Sequence, residues 1–149
     1  MGLLRLDSVG ILVDDLDAVA SFFLGMGFVF RSEATESAKW LEKVTGVPGA
    51  KLNITMLQSP QAETHIELIQ YDPPVKMLAP DAVTVLRPGP RMLTLLVEDL
   101  AESTALALAL GAQAVSDGPE RLGAFEISYV IAPGNILVML AEDVAWDEL

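Results

Sequence analysis

The feature that most constrains this chain is an internal repeat. Residues 6–16 read LDSVGILVDDL, and residues 90–100 read PRMLTLLVEDL, so that Asp15 and Asp99 occupy equivalent places 84 residues apart. In each copy an apolar, strand-like run ends at an acidic pair and is followed by a helical pattern. Because neither half is long enough to bury a sheet alone, the 149 residues are predicted to form a single domain of two modules.

Each helix of the repeat has a recognisable beginning and end. Asp15 and Asp99 can cap the first helical N–H groups and complement the positive end of the helix dipole. The helical pattern stops at Gly25 or Gly27 in the first copy and at Gly111 in the second. The sequence therefore predicts one strand feeding one helix in each half.

Three further strands are expected after each helix. The first half shows short apolar or alternating runs at 28–31, 51–58 and 64–71, and the second half shows them at 112–116, 124–132 and 136–141. Each half is thus strand–helix–strand–strand–strand. The predicted fold class is α+β, with two tandem βαβββ modules forming a cupped mixed sheet and helices on the outer face.

Two segments interrupt the repeat and set the predicted boundaries. Residues 36–48 carry Trp40, Leu41 and Val44 at helical spacing and end near Gly46, which predicts a short helix inserted in the first module. The proline-rich residues 72–89 are typical of a linker. We therefore expect modules at about 3–71 and 90–142, followed by an acidic tail at 143–149.

Composition excludes several classes of function. The chain has no cysteine and a single histidine, so disulfides, thiolate metal sites and two-histidine sites are ruled out. A net charge of −12 argues against nucleic acid as a partner. The chain has 52% hydrophobic residues, but no apolar run reaches the roughly 18–20 residues that a membrane span needs. With no apolar signal segment at the start, a cytoplasmic location is expected.

Four motifs in order resemble one known superfamily. LDSVGILVDDL opens the first module, HIELIQY ends it, VEDL lies in the second module, and PGNILVML lies near the end. This arrangement resembles the vicinal oxygen chelate superfamily, which includes glyoxalase I, extradiol dioxygenases and bleomycin-resistance proteins. The resemblance covers nearly the whole chain, and it implies the duplicated fold and a homodimer. It does not imply one activity, because the superfamily contains lyases, isomerases, oxygenases and binding proteins.

The resemblance also identifies the places where such enzymes hold a divalent metal. The four ligand positions of the superfamily correspond here to Ser8, Glu67, Met92 and Val138. Only Glu67 retains a side chain that suits a hard divalent ion, which wants several oxygen or nitrogen ligands. We therefore expect neither a metal nor any other cofactor.

The candidate ligand-binding residues follow from strand alternation and from the resemblance. They are Ser8, Gly10, Trp40, His65, Glu67, Met92, Thr94 and Val138, all of which are expected to line or cover the cup. Glu67 is the most informative of them, because a carboxylate among apolar side chains needs a partner. His65 lies two residues before it on the same side of the strand and would help Glu67 if the protein is an enzyme.

Three functions are compatible with these residues. The first is a metal-independent small-molecule binding protein of the bleomycin-resistance type that sequesters a cationic or aromatic ligand. The second is a glyoxalase-like isomerase or lyase in which Glu67, assisted by His65, abstracts a proton as general base. The third, a metal-dependent oxygenase or glyoxalase, fits least well because of the missing ligands.

Overall fold

The protein divides into two compact units. A computed structural model describes residues 2–61, 64–73 and 92–145, and the chain separates into Met1–Ala79 and Pro80–Leu149. Most of the predicted linker and the end of the predicted acidic tail, including Trp146, lie outside the described residues. The two units are therefore described one at a time.

The first unit is a four-stranded mixed sheet with two helices. Its elements in chain order are β1 (Ser8–Leu12), α1 (Leu16–Gly25), β2 (Val29–Glu36), α2 (Lys39–Thr45), β3 (Leu52–Gln58) and β4 (His65–Tyr71). The strand order is β1-β4-β3-β2, and β1 pairs with β4 in parallel while the other pairs are antiparallel. This is the predicted βαβββ module with one added helix.

The second unit repeats this topology around a five-stranded sheet. Its elements are β5 (Met92–Val97), α3 (Leu100–Ala109), β6 (Gln113–Ala114), β7 (Glu120–Leu122), β8 (Phe125–Ala132) and β9 (Ile136–Asp143). The order is β5-β9-β8-β6, with β7 pairing with β8 and β5 running parallel to β9. The predicted α+β class with tandem βαβββ modules is confirmed.

Strand lengths differ from the prediction where the strands are exposed. β2 continues to Glu36 instead of ending at residue 31, and every residue from Val29 to Thr35 is exposed. An edge strand of this kind is held by its ladder to β3 and needs no apolar alternation, so the sequence pattern did not show its full length. In the second unit β6 has only two residues, and β7 was not predicted.

The helix caps confirm the repeat. Ala18 N donates to Asp15 Oδ1 over 3.1 Å, and Glu102 N donates to Asp99 Oδ1 over 2.8 Å. Beyond the helices, the equivalent glycines 27 and 111 have φ values of +113° and +100°. Residues with a side chain rarely adopt this backbone conformation, which is why glycine follows both helices.

A second contact ties each helix to the sheet beside it. Leu16 N donates to Gln70 Oε1 over 3.0 Å, and Leu100 N donates to Glu142 Oε2 over 2.7 Å. In both units the acceptor belongs to the strand that runs parallel to the first strand of the unit. Each contact satisfies one N–H group that would otherwise be unpaired at the start of a helix. Because the acceptor lies on a strand, the contact also links that helix to the sheet of its own unit.

One face of the first sheet forms the main core of the first unit. The helix side chains Val19, Phe22 and Phe23 are buried, and Leu57 and Leu68 on β3 and β4 are fully buried with them. The rings of Phe22 and Phe23 meet edge to face at 5.2 Å between centroids. In the second unit the residue 84 positions after Phe23 is Ala107, which is also buried. The same core position is therefore occupied by a smaller side chain.

Helix α2 covers part of the opposite face of the first sheet. Its one buried residue, Leu41, packs with Ala50 and Leu52, and partly buried side chains close the cluster: Val47, Ile54, Ile69 and Tyr71. Ile54 pairs with Ile69, and strand alternation directs both away from the face that carries Leu68. The inserted helix is therefore an addition to the predicted plan, in which helices lie on the outer face.

No helix within the described ranges is long and apolar enough to cross a membrane.

Candidate functional site

A set of polar side chains gathers on the part of the first sheet that α2 leaves uncovered. We call this part the open face and define it by six residues: Ser8, Gly10, Met56, Gln58, His65 and Glu67. Strand pairing brings them together, since Ser8 and Gln58 flank His65 while Gly10 and Met56 flank Glu67. Five of them are half-buried, and Gly10 is exposed. The predicted grouping of Ser8, Gly10, His65 and Glu67 on one face is thus observed within this unit.

Glu67 is the anionic group of the open face. The residue is half-buried on β4, between Gly10 on one neighbouring strand and Met56 on the other. Across the part of the chain that the structure describes, its carboxylate has no hydrogen bond or ion pair. A half-buried carboxylate with no protein partner has lost part of its hydration without compensation, so it is suited to accept a hydrogen bond from a ligand.

His65 is tied to the backbone that precedes β1. Its Nδ1 lies 3.3 Å from the carbonyl oxygen of Asp7. Because a carbonyl oxygen only accepts, Nδ1 carries the proton in this contact, and Nε2 is left for other partners. His65 therefore lies beside Glu67 on the strand, but the contact that orients its ring is with the main chain.

Gly10 is a glycine that the backbone does not require. It lies in the middle of β1 without a positive φ, and a Cβ built on it would meet only Ile69 Cδ1, at an ordinary 3.6 Å. A side chain at Gly10 would stand on the open face next to Glu67, its partner in the strand pairing. The glycine thus leaves the flank of the Glu67 carboxylate accessible.

Trp40 belongs to the helix that packs on the same sheet face. The neighbouring Leu41 is buried against the sheet, while the Trp40 side chain is 53% exposed. The prediction of a helix that ends near Gly46 is confirmed, with Gly46 in the left-handed conformation at φ +73°. A contact between Trp40 and a ligand stays a prediction.

The second unit separates the residues that were predicted to share its site. Met92 and Thr94 are exposed and point to one side of β5, where they pair with Leu137 and Met139. Val138 pairs with Leu93 instead and has no exposed surface. The prediction that Val138 shares a face with Met92 and Thr94 is therefore wrong, because successive residues of a strand point to opposite faces.

The residue that corresponds to Glu67 in the second unit is Met139. Gly10 pairs with Glu67, and Thr94, which is 84 residues after Gly10, pairs with Met139. The helix contacts agree: Glu67 lies three residues before Gln70, and Met139 lies three residues before Glu142. The assignment of Val138 to the fourth metal position was displaced by one residue.

The side chains at these positions do not fit the divalent metal of the superfamily. Ser8 offers a neutral hydroxyl and Glu67 one carboxylate, while Met92 and Met139 offer thioethers. Thioethers are soft ligands that suit copper(I) and not magnesium, manganese or iron(II). Within residues 2–61, 64–73 and 92–145, no group of three or more His, Asp or Glu side chains is arranged to hold a metal ion.

Two open-face residues, Met56 and Gln58, were missed from sequence. The alternation of β3 puts them, with Ile54, on one side of that strand. Their proximity to Glu67 depends on the β3–β4 register, in which Met56 is paired with Glu67 and Gln58 with His65. Alternation was visible in the sequence, whereas the register was not.

Comparison with known proteins identifies the family. The model of a family described as "Glyoxalase/Bleomycin resistance protein/Dioxygenase superfamily" matches residues 7–129. No curated protein sequence matches the chain. Among solved structures, a glyoxalase family protein from Bacillus cereus is 28% identical with a TM-score of 0.89, and the match covers 97% of each chain.

Two more distant structures share the fold. A glyoxalase family protein from Enterococcus faecalis is 17% identical, with a TM-score of 0.63 over 93% of this chain and 97% of that one. An antibiotic-binding protein from a Streptomyces species is 16% identical, with a TM-score of 0.63 over 96% of this chain and 98% of that one. The family match spans most of the chain, and the repeated βαβββ topology agrees with it. The chain belongs to the glyoxalase/bleomycin resistance protein/dioxygenase superfamily.

Proposed function

We propose that this protein is a metal-independent small-molecule binding protein that sequesters an apolar ligand bearing a cationic amine. The observation that carries the proposal is the half-buried Glu67 carboxylate, which has no partner among the described residues and is the one acidic group of the open face. An ammonium group supplies the hydrogen-bond donors and the positive charge that this carboxylate lacks.

The surroundings of Glu67 favour an apolar body on the ligand. Met56 lies beside it on β3, and Ile69 follows it on β4 with its side chain on the same face. Sites for small molecules typically combine an apolar wall with a few polar groups that fix orientation. The net charge of −12 adds a long-range attraction for cations.

The comparisons support binding as a function of this fold. The Streptomyces protein of the same architecture is described as an antibiotic-binding protein. A resistance or sequestration role for the present chain would use the fold in the same general way. The ligand class proposed here depends on Glu67 and its neighbours and does not depend on the identity of that antibiotic.

The alternative is proton abstraction by Glu67 as a general base. That reaction needs donors to stabilise the developing oxyanion, and the other polar side chains of the open face are Ser8, Gln58 and His65. Both functions require an ionised Glu67, but for different steps. Binding of a cation requires the charge for affinity, whereas a general base requires it for turnover.

Salt dependence of binding tests the proposal. Calorimetric titration with n-hexylamine, which is cationic at about pH 7, is compared with titration with the neutral n-hexanol. We expect affinity for the amine to fall by about three- to tenfold between about 50 and 500 mM NaCl, because salt screens the charges of a half-buried site. Affinity for hexanol should be lower and nearly independent of salt. Equal affinities for amine and alcohol, or no salt dependence, would contradict the proposal.

A further inference from the structure

We propose that Leu41 determines the length of the apolar group that the open face accepts. The inference rests on the proposed function and deepens it, since it assigns the amine end of the ligand to Glu67 and the apolar end to the side of the sheet that α2 covers. Leu41 would then act as the stop that limits the apolar end.

The position of Leu41 follows from the packing of α2. Leu41 is 5% exposed and packs with Ala50 and Leu52, and Ile54 and Ile69 pack against this cluster. Ile54 and Ile69 are paired with one another, and they lie two residues along their strands from Met56 and Glu67. The apolar cluster under α2 therefore begins directly beside the open face.

Strand geometry gives the length of the uncovered apolar surface. Two residues along a strand span about 7 Å, which is the separation between the Glu67 level and the Ile69 level. The next pair on this face, Leu52 with Tyr71, already belongs to the cluster around Leu41. An extended alkyl chain that starts at Glu67 thus meets the Leu41 cluster after about five or six carbon atoms.

Leu41 belongs to α2, so shortening it changes no residue of the sheet itself. It is the one buried residue of α2, while Trp40 is 53% and Val44 is 77% exposed. The end of the helix is held separately, because Gly49 N donates to Glu42 Oε1 over 2.8 Å and Val47 N donates to Thr45 Oγ1 over 3.2 Å. Truncation of Leu41 removes side-chain volume from the cluster against which Ile54 and Ile69 pack, and it leaves these two hydrogen bonds in place.

The experiment measures affinity for a series of n-alkylamines from butylamine to decylamine. For the wild type we expect affinity to rise by about fourfold for each added methylene and to level off near hexylamine, where the chain reaches Leu41. In Leu41→Ala the rise should continue for about two to three more carbons, the difference in side-chain length. Val44→Ala on the same helix is the matched control and should reproduce the wild-type profile.

A more conservative variant covers the case in which Leu41→Ala does not fold. Leu41→Val removes one carbon, and we expect it to extend the rise by about one methylene. The profiles of Leu41→Ala or Leu41→Val overturn the inference if they level off at the same amine as the wild type while binding still depends on charge. If no alkylamine binds the wild type, the proposed function itself fails and the inference fails with it.

Discussion

Replacing Glu142 with alanine is expected to lower the free energy of unfolding by about 1.5–3 kcal/mol, the range for a lost hydrogen bond to a charged group. Glu142 Oε2 accepts from Leu100 N over 2.7 Å at the start of α3. The carboxylate both satisfies an unpaired N–H group and complements the positive end of the helix dipole. Thermal unfolding followed by circular dichroism should show Tm lowered by about 2–4 °C per kcal/mol.

The repeat supplies the matched variant for this test. Gln70 performs the same task at the start of α1, with its Oε1 3.0 Å from Leu16 N, so Glu142→Gln should retain most of the stability. Glu126, which pairs with Glu142 across β8 and β9, is a control of the same residue type. Glu126→Ala removes a like charge opposite Glu142 and should not destabilise through the helix. Equal losses for Glu142→Ala and Glu142→Gln would show that the helix contact is not the cause.

Replacing Glu67 with glutamine is expected to reduce the affinity for n-hexylamine by about tenfold to a hundredfold. This corresponds to about 1.5–3 kcal/mol, the contribution of a hydrogen bond to a charged group. Glutamine keeps the shape of the side chain and one acceptor oxygen, so the loss of affinity measures the contribution of the negative charge. The same titration with n-hexanol should change little, and calorimetry measures both ligands on one sample.

Glu33→Gln is the matched control for Glu67→Gln. Glu33 is exposed on β2, where it pairs with Thr55 and therefore lies on the face of the first sheet opposite to Glu67. Both variants change the net charge by one unit, so the long-range electrostatic attraction of the protein for cations is altered equally. If Glu33→Gln weakens binding as much as Glu67→Gln does, overall charge is responsible and the open face is not the site. Full affinity in Glu67→Gln would favour the general-base alternative.

The repeat allowed the architecture to be predicted from sequence because its signals are local. The caps Asp15 and Asp99 were recognisable without knowledge of the fold, as were the glycines Gly25 or Gly27 and Gly111. The structure places both caps as predicted, and of the first pair it is Gly27 that takes the positive φ, as Gly111 does in the second unit. Local hydrogen bonding and backbone conformation determine these positions. The family resemblance rests on the same motifs and is confirmed by the match over residues 7–129.

The parts of the site that depend on non-local pairing were harder to predict. Val138 was assigned to the exposed face although Met139 lies there, because a shift of one residue in a strand exchanges its two faces. The contact of Glu142 with the start of α3 would have fixed the register, but it joins residues 42 positions apart and is not visible as a motif.

A homodimer and a cytoplasmic location stay predictions.

For the inserted helix, prediction and structure agree on the element but not on its packing. Its existence and its end at Gly46 followed from the local pattern of residues 36–48. The sequence suggested that this helix covers the cup, but the extent of the covered surface could not be predicted, because it depends on how Leu41 packs with Ala50 and Leu52, which follow it in the chain. Segments that connect the elements of a fold vary most among homologues and often carry function.

The most direct test of metal-independent binding is the affinity of the wild-type protein for n-hexylamine before and after exhaustive treatment with a chelator. We predict the same affinity in both states, to within about twofold, because the carboxylate of Glu67 and the apolar side chains beside it supply the site. Binding that is lost on chelation and restored by added manganese or nickel would contradict the account.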